Sequence, residues 1–244
     1  MSTSTRDYGT RARIGVATPQ ANPTVEPEMR ALLPASIAVY ATRLVHPAPD
    51  VETRLDHYIR NLSAALTTFG VLRLDAFGFG CTGSSYRAGP KLEDELTQRT
   101  AEAGNLPVIT AAQAIRATLA HFGTRRIALV APYPVALAAA GVAYWQSAGI
   151  TVTQSLRVDP ALTDTHRIYE LTSDDALVAL RKLDADNADC IVVSGTGMPT
   201  LAALRACRDE FSKPVISSNA CLAWCLLRAV APDLAPSSPA ELLP

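Results

Sequence analysis

The feature that most limits what this chain can fold into is an internal repeat. Arg13-Ile14-Gly15-Val16-Ala17-Thr18-Pro19 and Arg126-Ile127-Ala128-Leu129-Val130-Ala131-Pro132 share a basic residue, an apolar run and a closing proline. About 67 residues after Ile14 a second apolar run ends in the small-residue loop Gly80-Cys81-Thr82-Gly83-Ser84-Ser85. About 68 residues after Ile127 a matching run ends in Ser194-Gly195-Thr196-Gly197-Met198. The echo continues, because Pro107-Val108-Ile109-Thr110 and Pro214-Val215-Ile216-Ser217 each open an alanine-rich segment with helical spacing. Short apolar runs closed by proline or glycine read as buried parallel strands, and strands alternating with amphipathic helices read as βαβα units.

Two such halves predict an α/β protein of two Rossmann-like (flavodoxin-like) lobes with parallel sheets, related by a pseudo-two-fold axis. The expected boundaries are a disordered lead-in over 1–11, a first lobe over 12–112 completed by 218–232, a second lobe over 113–217, and a C-terminal tail over 233–244 that is low in structure. Ligands of open parallel sheets lie beyond the carboxyl ends of the strands, so the Asn22 and Cys81 loops should face the Tyr133 and Gly195 loops across one cleft. Within the first lobe, Asp50 to Phe69 reads as one helix capped by Gly70. A nine-residue loop is expected between Cys81 and Pro90.

Composition narrows the function. A chain of 244 residues with 48% hydrophobic content can bury a large core, and a net charge of −1 without a basic run gives no pull toward nucleic acid or a membrane surface. No apolar run is long enough to span a bilayer, and Met1 to Arg13 lacks the apolar stretch of a signal peptide. Five cysteines, odd in number and without a CxxC pair, suit a reducing compartment. A soluble cytoplasmic protein is expected. The four histidines share no metal-ligand spacing; His57 and His121 fall in helical patterns, and His166 lies in a second-half loop able to approach the cleft. The Gly195-Thr196-Gly197 pattern lacks the third glycine and the ribose-binding acid of a dinucleotide site.

Cys81 is the candidate reactive group. A thiol at the end of a buried strand, where the chain turns toward a helix, meets free backbone N–H groups, which should lower its pKa and also bind anions. The alternative is a small buried hydrophobe followed by a turn.

Four segments together resemble the aspartate/glutamate racemase superfamily, in the branch of maleate cis-trans isomerases and arylmalonate decarboxylases. They are Pro19-Gln20-Ala21-Asn22-Pro23-Thr24-Val25-Glu26-Pro27-Glu28, Cys81-Thr82-Gly83-Ser84-Ser85, Ser194-Gly195-Thr196-Gly197-Met198-Pro199-Thr200 and Pro214-Val215-Ile216-Ser217-Ser218-Asn219. The resemblance covers roughly residues 11–230. It implies an enzyme without metal or organic cofactor acting on a small dicarboxylate, and it allows association into a homo-oligomer. In that superfamily two cysteines usually face each other across the substrate. Cys81 fills the first position here and Gly195 the second, while Cys190 lies within the preceding strand.

This departure bears on the chemistry. Racemisation needs an acid/base group on each face of the substrate, whereas decarboxylation of a malonate needs one proton donor. Decarboxylation of a substituted malonate through an enediolate is the first reading. Arylmalonate decarboxylases resemble this with a single cysteine in the other half, which implies a product of inverted configuration. Isomerisation of a maleate-like diacid with Cys81 as nucleophile is the alternative, and a non-catalytic carboxylate-binding protein is the alternative of another class. The resemblance places Thr82, Gly83, Ser84, Tyr133, Gly195 and Thr196 as hydroxyl and N–H donors to carboxylate oxygens, and Asn22 at a second carboxylate. For Asn22 an Asx turn before Pro23 is the competing role. For Gly195 the roles are a backbone constraint and an enlarged pocket.

Overall fold

A computed structural model describes residues 6–244 of the chain; of the expected lead-in, residues 1–5 lie outside the described residues. The first half runs β1 (Ala12–Pro19), α1 (Val25–Leu32), β2 (Ile37–Leu44), α2 (Val51–Arg60), α3 (Leu62–Thr67), β3 (Ala76–Phe79), α4 (Thr82–Gly104), β4 (Val108–Thr110) and α5 (Ala111–His121). The second runs β5 (Arg126–Ala131), α6 (Val135–Ser147), β6 (Thr151–Arg157), α7 (Ser173–Lys182), β7 (Cys190–Val193), α8 (Leu201–Ala206), β8 (Val215–Ser217) and α9 (Ser218–Val230).

Both halves build a four-stranded, wholly parallel sheet with the same strand order, β2-β1-β3-β4 and β6-β5-β7-β8. The repeat therefore reports one topology used twice, as two lobes. The central strands β1, β3, β5 and β7 are buried on both faces, which is why they read as unbroken apolar runs rather than alternating ones. Helix α9 returns to the first sheet, where Gly78 leaves room for it. A Cβ on Gly78 would stand 2.8 Å from Leu226 Cδ1. The matching segments of the repeat also end alike: Thr110 caps α5 by accepting from Gln113 N–H at 3.0 Å, and Ser217 caps α9 by accepting from Ala220 N–H at 3.3 Å.

Four local expectations are corrected. The segment from Asp50 is two helices, because Asn61 leaves helical geometry (φ −105°, ψ 27°) and its side-chain amide donates to His57 C=O at 2.8 Å. The Cys81–Pro90 stretch is helical from Thr82 onward, and the Gly-Pro pair makes a kink, with Gly89 at φ 77° and Pro90 restarting the helix. The tail is ordered into 3₁₀ turns at Pro232–Leu234 and Pro239–Leu242, with Trp224 Nε1 donating to Pro236 C=O at 2.9 Å. Part of the lead-in is tied to it, since Arg11 Nη2 reaches both oxygens of Asp233 at 2.6 and 2.8 Å.

The lobes are joined by a buried carboxylate. Glu28 of α1 accepts from the N–H groups of Thr200 (2.5 Å) and Leu201 (3.2 Å) at the start of α8, and from Asn219 Nδ2 at 2.7 Å. Burial pushes its pKa up, against these donors. Among the described residues no helix is long and apolar enough to cross a membrane.

Candidate functional site

β3 ends at Phe79, Gly80 N–H closes the ladder on Ala17 C=O at 2.8 Å, and Cys81 becomes the residue that caps α4. This places the thiol at the carboxyl edge of the first sheet and over the first turn of a helix. The loops after β1, β5 and β7 arrive at the same place. Together they enclose a cavity of about 290 Å³ between the lobes, lined by Asn22, Cys81, Thr82 and Gly83 from one side and by Tyr133, Thr196 and Gly197 from the other. The sulfur thus faces the inter-lobe space rather than the interior of a lobe.

The thiol's surroundings reverse one expectation. Its Sγ lies 3.2 Å from Ser84 Oγ, and the N–H groups of Gly83 and Ser84 point at it, all of which favour thiolate. Burial is the larger effect, and it pushes the Cys81 pKa above its ordinary value. The resting group is a protonated thiol. The other four cysteines are unpaired as well; Cys190, Cys207 and Cys221 are buried, and Cys225 is half-buried against Ala114. None of them lines the cavity.

The donors sort themselves by what they already bind. Thr82 Oγ1 and Tyr133 Oη are 2.6 Å apart, so one hydroxyl proton is spent between them, and both residues line the cavity. Burial raises the Tyr133 pKa well above its ordinary value, which keeps the phenol a donor. Behind it, Tyr86 Oη meets Ser194 Oγ at 2.6 Å and accepts from Trp145 Nε1 at 3.1 Å, fixing the wall.

Asn22 makes the Asx turn, and its amide also faces the cavity. Its Oδ1 accepts from the N–H groups of Thr24 (2.9 Å) and Val25 (3.2 Å), an Asx turn, while Nδ2 faces Thr196 Oγ1 at 3.4 Å and lines the cavity. Thr196 donates its hydroxyl proton to Gly80 C=O at 2.8 Å, so that hydroxyl bridges the two lobes and is not a donor to a guest.

Two expected site residues stand elsewhere. Ser84 touches the sulfur but does not line the cavity. Gly195 does not line it either, and its N–H is taken by Ser218 Oγ at 3.1 Å. Its φ of 97° belongs to the region that favours glycine, and a Cβ there would stand 2.7 and 2.8 Å from Pro132 Cγ and Cδ. The backbone constraint, rather than an enlarged pocket, accounts for this glycine.

Sequence reasoning missed a third side of the cavity: Arg54, Leu55 and Tyr58 of α2, Leu137 of α6, and Ile168 and Tyr169 of the 3₁₀ turn His166–Glu170. Leu55 and Tyr58 had the spacing of an ordinary core stripe, and Arg54 carried no signal. His166 does reach the cleft. Among the described residues no group of three or more His, Cys, Asp or Glu could hold a metal ion.

Comparison with known proteins agrees with this fold. A family profile described as arylmalonate decarboxylase matches residues 14–243. A maleate isomerase of Geobacillus stearothermophilus is 26% identical over 234 residues, covering 89% of this chain and 91% of the relative. The structure of Nocardia farcinica maleate cis-trans isomerase, a cysteine-to-serine mutant with a covalently bound succinylcysteine intermediate, superposes with TM-score 0.82 at 26% identity, over 95% of this chain and 98% of that one. A crystal structure of arylmalonate decarboxylase superposes with TM-score 0.69 at 22% identity, over 90% and 92%, a likeness of fold.

Proposed function

Because the chain belongs to the arylmalonate decarboxylase family, we propose that it is a cofactor-independent enzyme that decarboxylates a substituted malonate, with Cys81 as the proton donor. The observation that carries this reading is a single thiol in the inter-lobe cavity, with a glycine at the matching position whose backbone and Pro132 contact disfavour a side chain.

The step balances with these groups alone. The bond between the α-carbon and one carboxyl carbon breaks, CO₂ leaves, and the electron pair stays on the α-carbon as an enediolate. Sγ–H of Cys81 then gives its proton to that carbon, and solvent returns a proton to the thiolate. The remaining carboxylate, whose charge grows as the bond breaks, meets the hydroxyls of the Thr82–Tyr133 pair, the N-terminal end of α4, and the second Nδ2 proton of Asn22. Donors already oriented before the charge develops contribute the larger part of such a barrier reduction. A carboxylate held among Leu55, Leu137 and Ile168 sheds water and with it the hydration that opposes loss of CO₂.

The isomerase relatives and the succinylcysteine intermediate of one of them favour a second reading, in which Cys81 adds to the double bond of a maleate-like diacid. That path needs the thiolate, against the direction in which burial moves this group. Five unpaired cysteines support a reducing, cytoplasmic setting for either enzyme.

Incubation with phenylmalonate and, separately, with maleate in deuterated water tests both. CO₂ release with one stereospecifically placed deuterium supports decarboxylation, and fumarate supports isomerisation. Neither product, with a carboxylate still protecting Cys81 from alkylation, would mark a binding protein.

A further inference from the structure

The cavity has a cation that the chemistry above does not use. Arg54, in α2 of the first lobe, lines it together with His46 and His166, and no Asp or Glu lines it at all. Arg54 Nη1 is anchored on the carbonyls of Ala48 (2.9 Å) and Pro49 (2.6 Å), which leaves Nη2 aimed across the cleft at His166 Nε2, 3.4 Å away. The nearby carboxylate of Asp50 accepts from Thr53 N–H at 2.7 Å; it feels the charge of Arg54 but makes no ion pair with it. That of Asp164 lies 3.6 Å from the opposite ring nitrogen, Nδ1, of His166. None of the ion pairs among the described residues includes Arg54. A guanidinium whose Nη2 has no carboxylate within ion-pair distance, facing an imidazole nitrogen from the other lobe, is a place for an anion supplied from outside.

Position adds the class of ligand. Tyr58 and Tyr169 line the same cavity as Cys81 and Arg54, and both phenols lie near enough to feel the charges of the sulfur and the guanidinium. We propose that Arg54 and His166 form a distal anion subsite, and that the natural substrate is a malonate whose substituent spans the two tyrosines and ends in a carboxylate. The identity of the reacting end rests on the function proposed above. The anion subsite does not.

Two measurements keep them apart. The first is alkylation of Cys81 by iodoacetate and by iodoacetamide, read by peptide mass spectrometry. A guanidinium in the cavity should favour the anionic reagent, and Arg54→Gln should lower the iodoacetate-to-iodoacetamide rate ratio about fivefold, a modest Coulomb effect in a partly hydrated cleft. Arg54→Lys keeps the charge while losing the bidentate anchor, so it should retain most of the ratio even where the loop at Ala48 and Pro49 shifts. The second is kcat/KM for 4-carboxyphenylmalonate relative to phenylmalonate, a quotient that Arg54→Gln should cut at least tenfold. An alkylation ratio unchanged in Arg54→Gln overturns the subsite, whatever the turnover. A ratio that collapses without turnover of either malonate keeps the subsite and removes the decarboxylase reading. Equal kcat/KM for both malonates in the wild type refutes the carboxylate-bearing substituent.

Discussion

Replacing Gly195 tests why only one thiol stands in the cleft. Alanine at this position costs twice. At φ 97° an L-residue bears about 1–2 kcal/mol of backbone strain, and its Cβ, 2.7 and 2.8 Å from the Pro132 ring, forces an overpacking adjustment of about 1–3 kcal/mol. Pro132 cannot yield freely, since it follows β5 directly and precedes Tyr133, whose Oη is tied to Thr82. The sum is about 3 kcal/mol. For a domain of this size each kcal/mol lowers Tm by about 2–4 °C, so Gly195→Ala should melt roughly 6–12 °C below wild type. Gly195→Cys should fall at least as far. Scanning calorimetry on both variants measures this, with urea midpoints as a check. Melting within 2 °C of wild type would refute the reasoning, because the missing second cysteine would then be a free choice rather than a consequence of the backbone.

The raised pKa of Cys81 predicts that its rate of alkylation by iodoacetamide climbs steadily from pH 6 to pH 9, following the thiolate fraction, with no plateau in that range. A plateau below pH 8 would show a depressed pKa instead. Glu28→Ala removes an acceptor shared by Thr200, Leu201 and Asn219 and leaves buried donors unpaired. It should therefore cost about 3 kcal/mol in denaturant titration, and a change below about 1 kcal/mol would show that the lobes are joined elsewhere. A raised carboxyl pKa means the folded state holds the proton more readily than the unfolded chain. The contribution of Glu28 therefore favours the fold below its ordinary value of 4.5 and is lost as pH rises through the raised value. Wild type should gain stability relative to Glu28→Gln as pH is lowered through the raised value toward 4.5, and a difference constant down to pH 4.5 would contradict this.

The two-lobe architecture could be read from the sequence because it is written twice in short-range patterns. Apolar runs closed by proline or glycine mark β1, β3, β5 and β7, a preceding proline marks β4 and β8, and Thr110 and Ser217 mark two helix starts. The loop bearing Cys81 could be found for the same reason, as one of two copies. The direction of the thiol's pKa could not. It depends on how completely the cleft excludes water, and that is decided by residues far away in sequence, such as Tyr133 and Leu137.

Leu55 and Tyr58 escaped for a related reason. A helical stripe looks the same whether its inward face meets a sheet or a cavity, and only the packing of α2 against the second lobe's loops tells them apart. Gly195 was ambiguous in sequence because a positive φ and an open pocket both select glycine. The Pro132 contact separates the two.

The central claim is that one protonated sulfur at the junction of the two lobes delivers the proton. Turnover of phenylmalonate by wild type and by Cys81→Ala in deuterated water, followed by CO₂ release and by chiral analysis of the product, tests it most directly. The account predicts one product enantiomer carrying a single deuterium from the wild type and at least a hundredfold less CO₂ from the variant, the loss expected on removing a general acid. Undiminished release of CO₂ by Cys81→Ala, with the same stereochemistry, would contradict it.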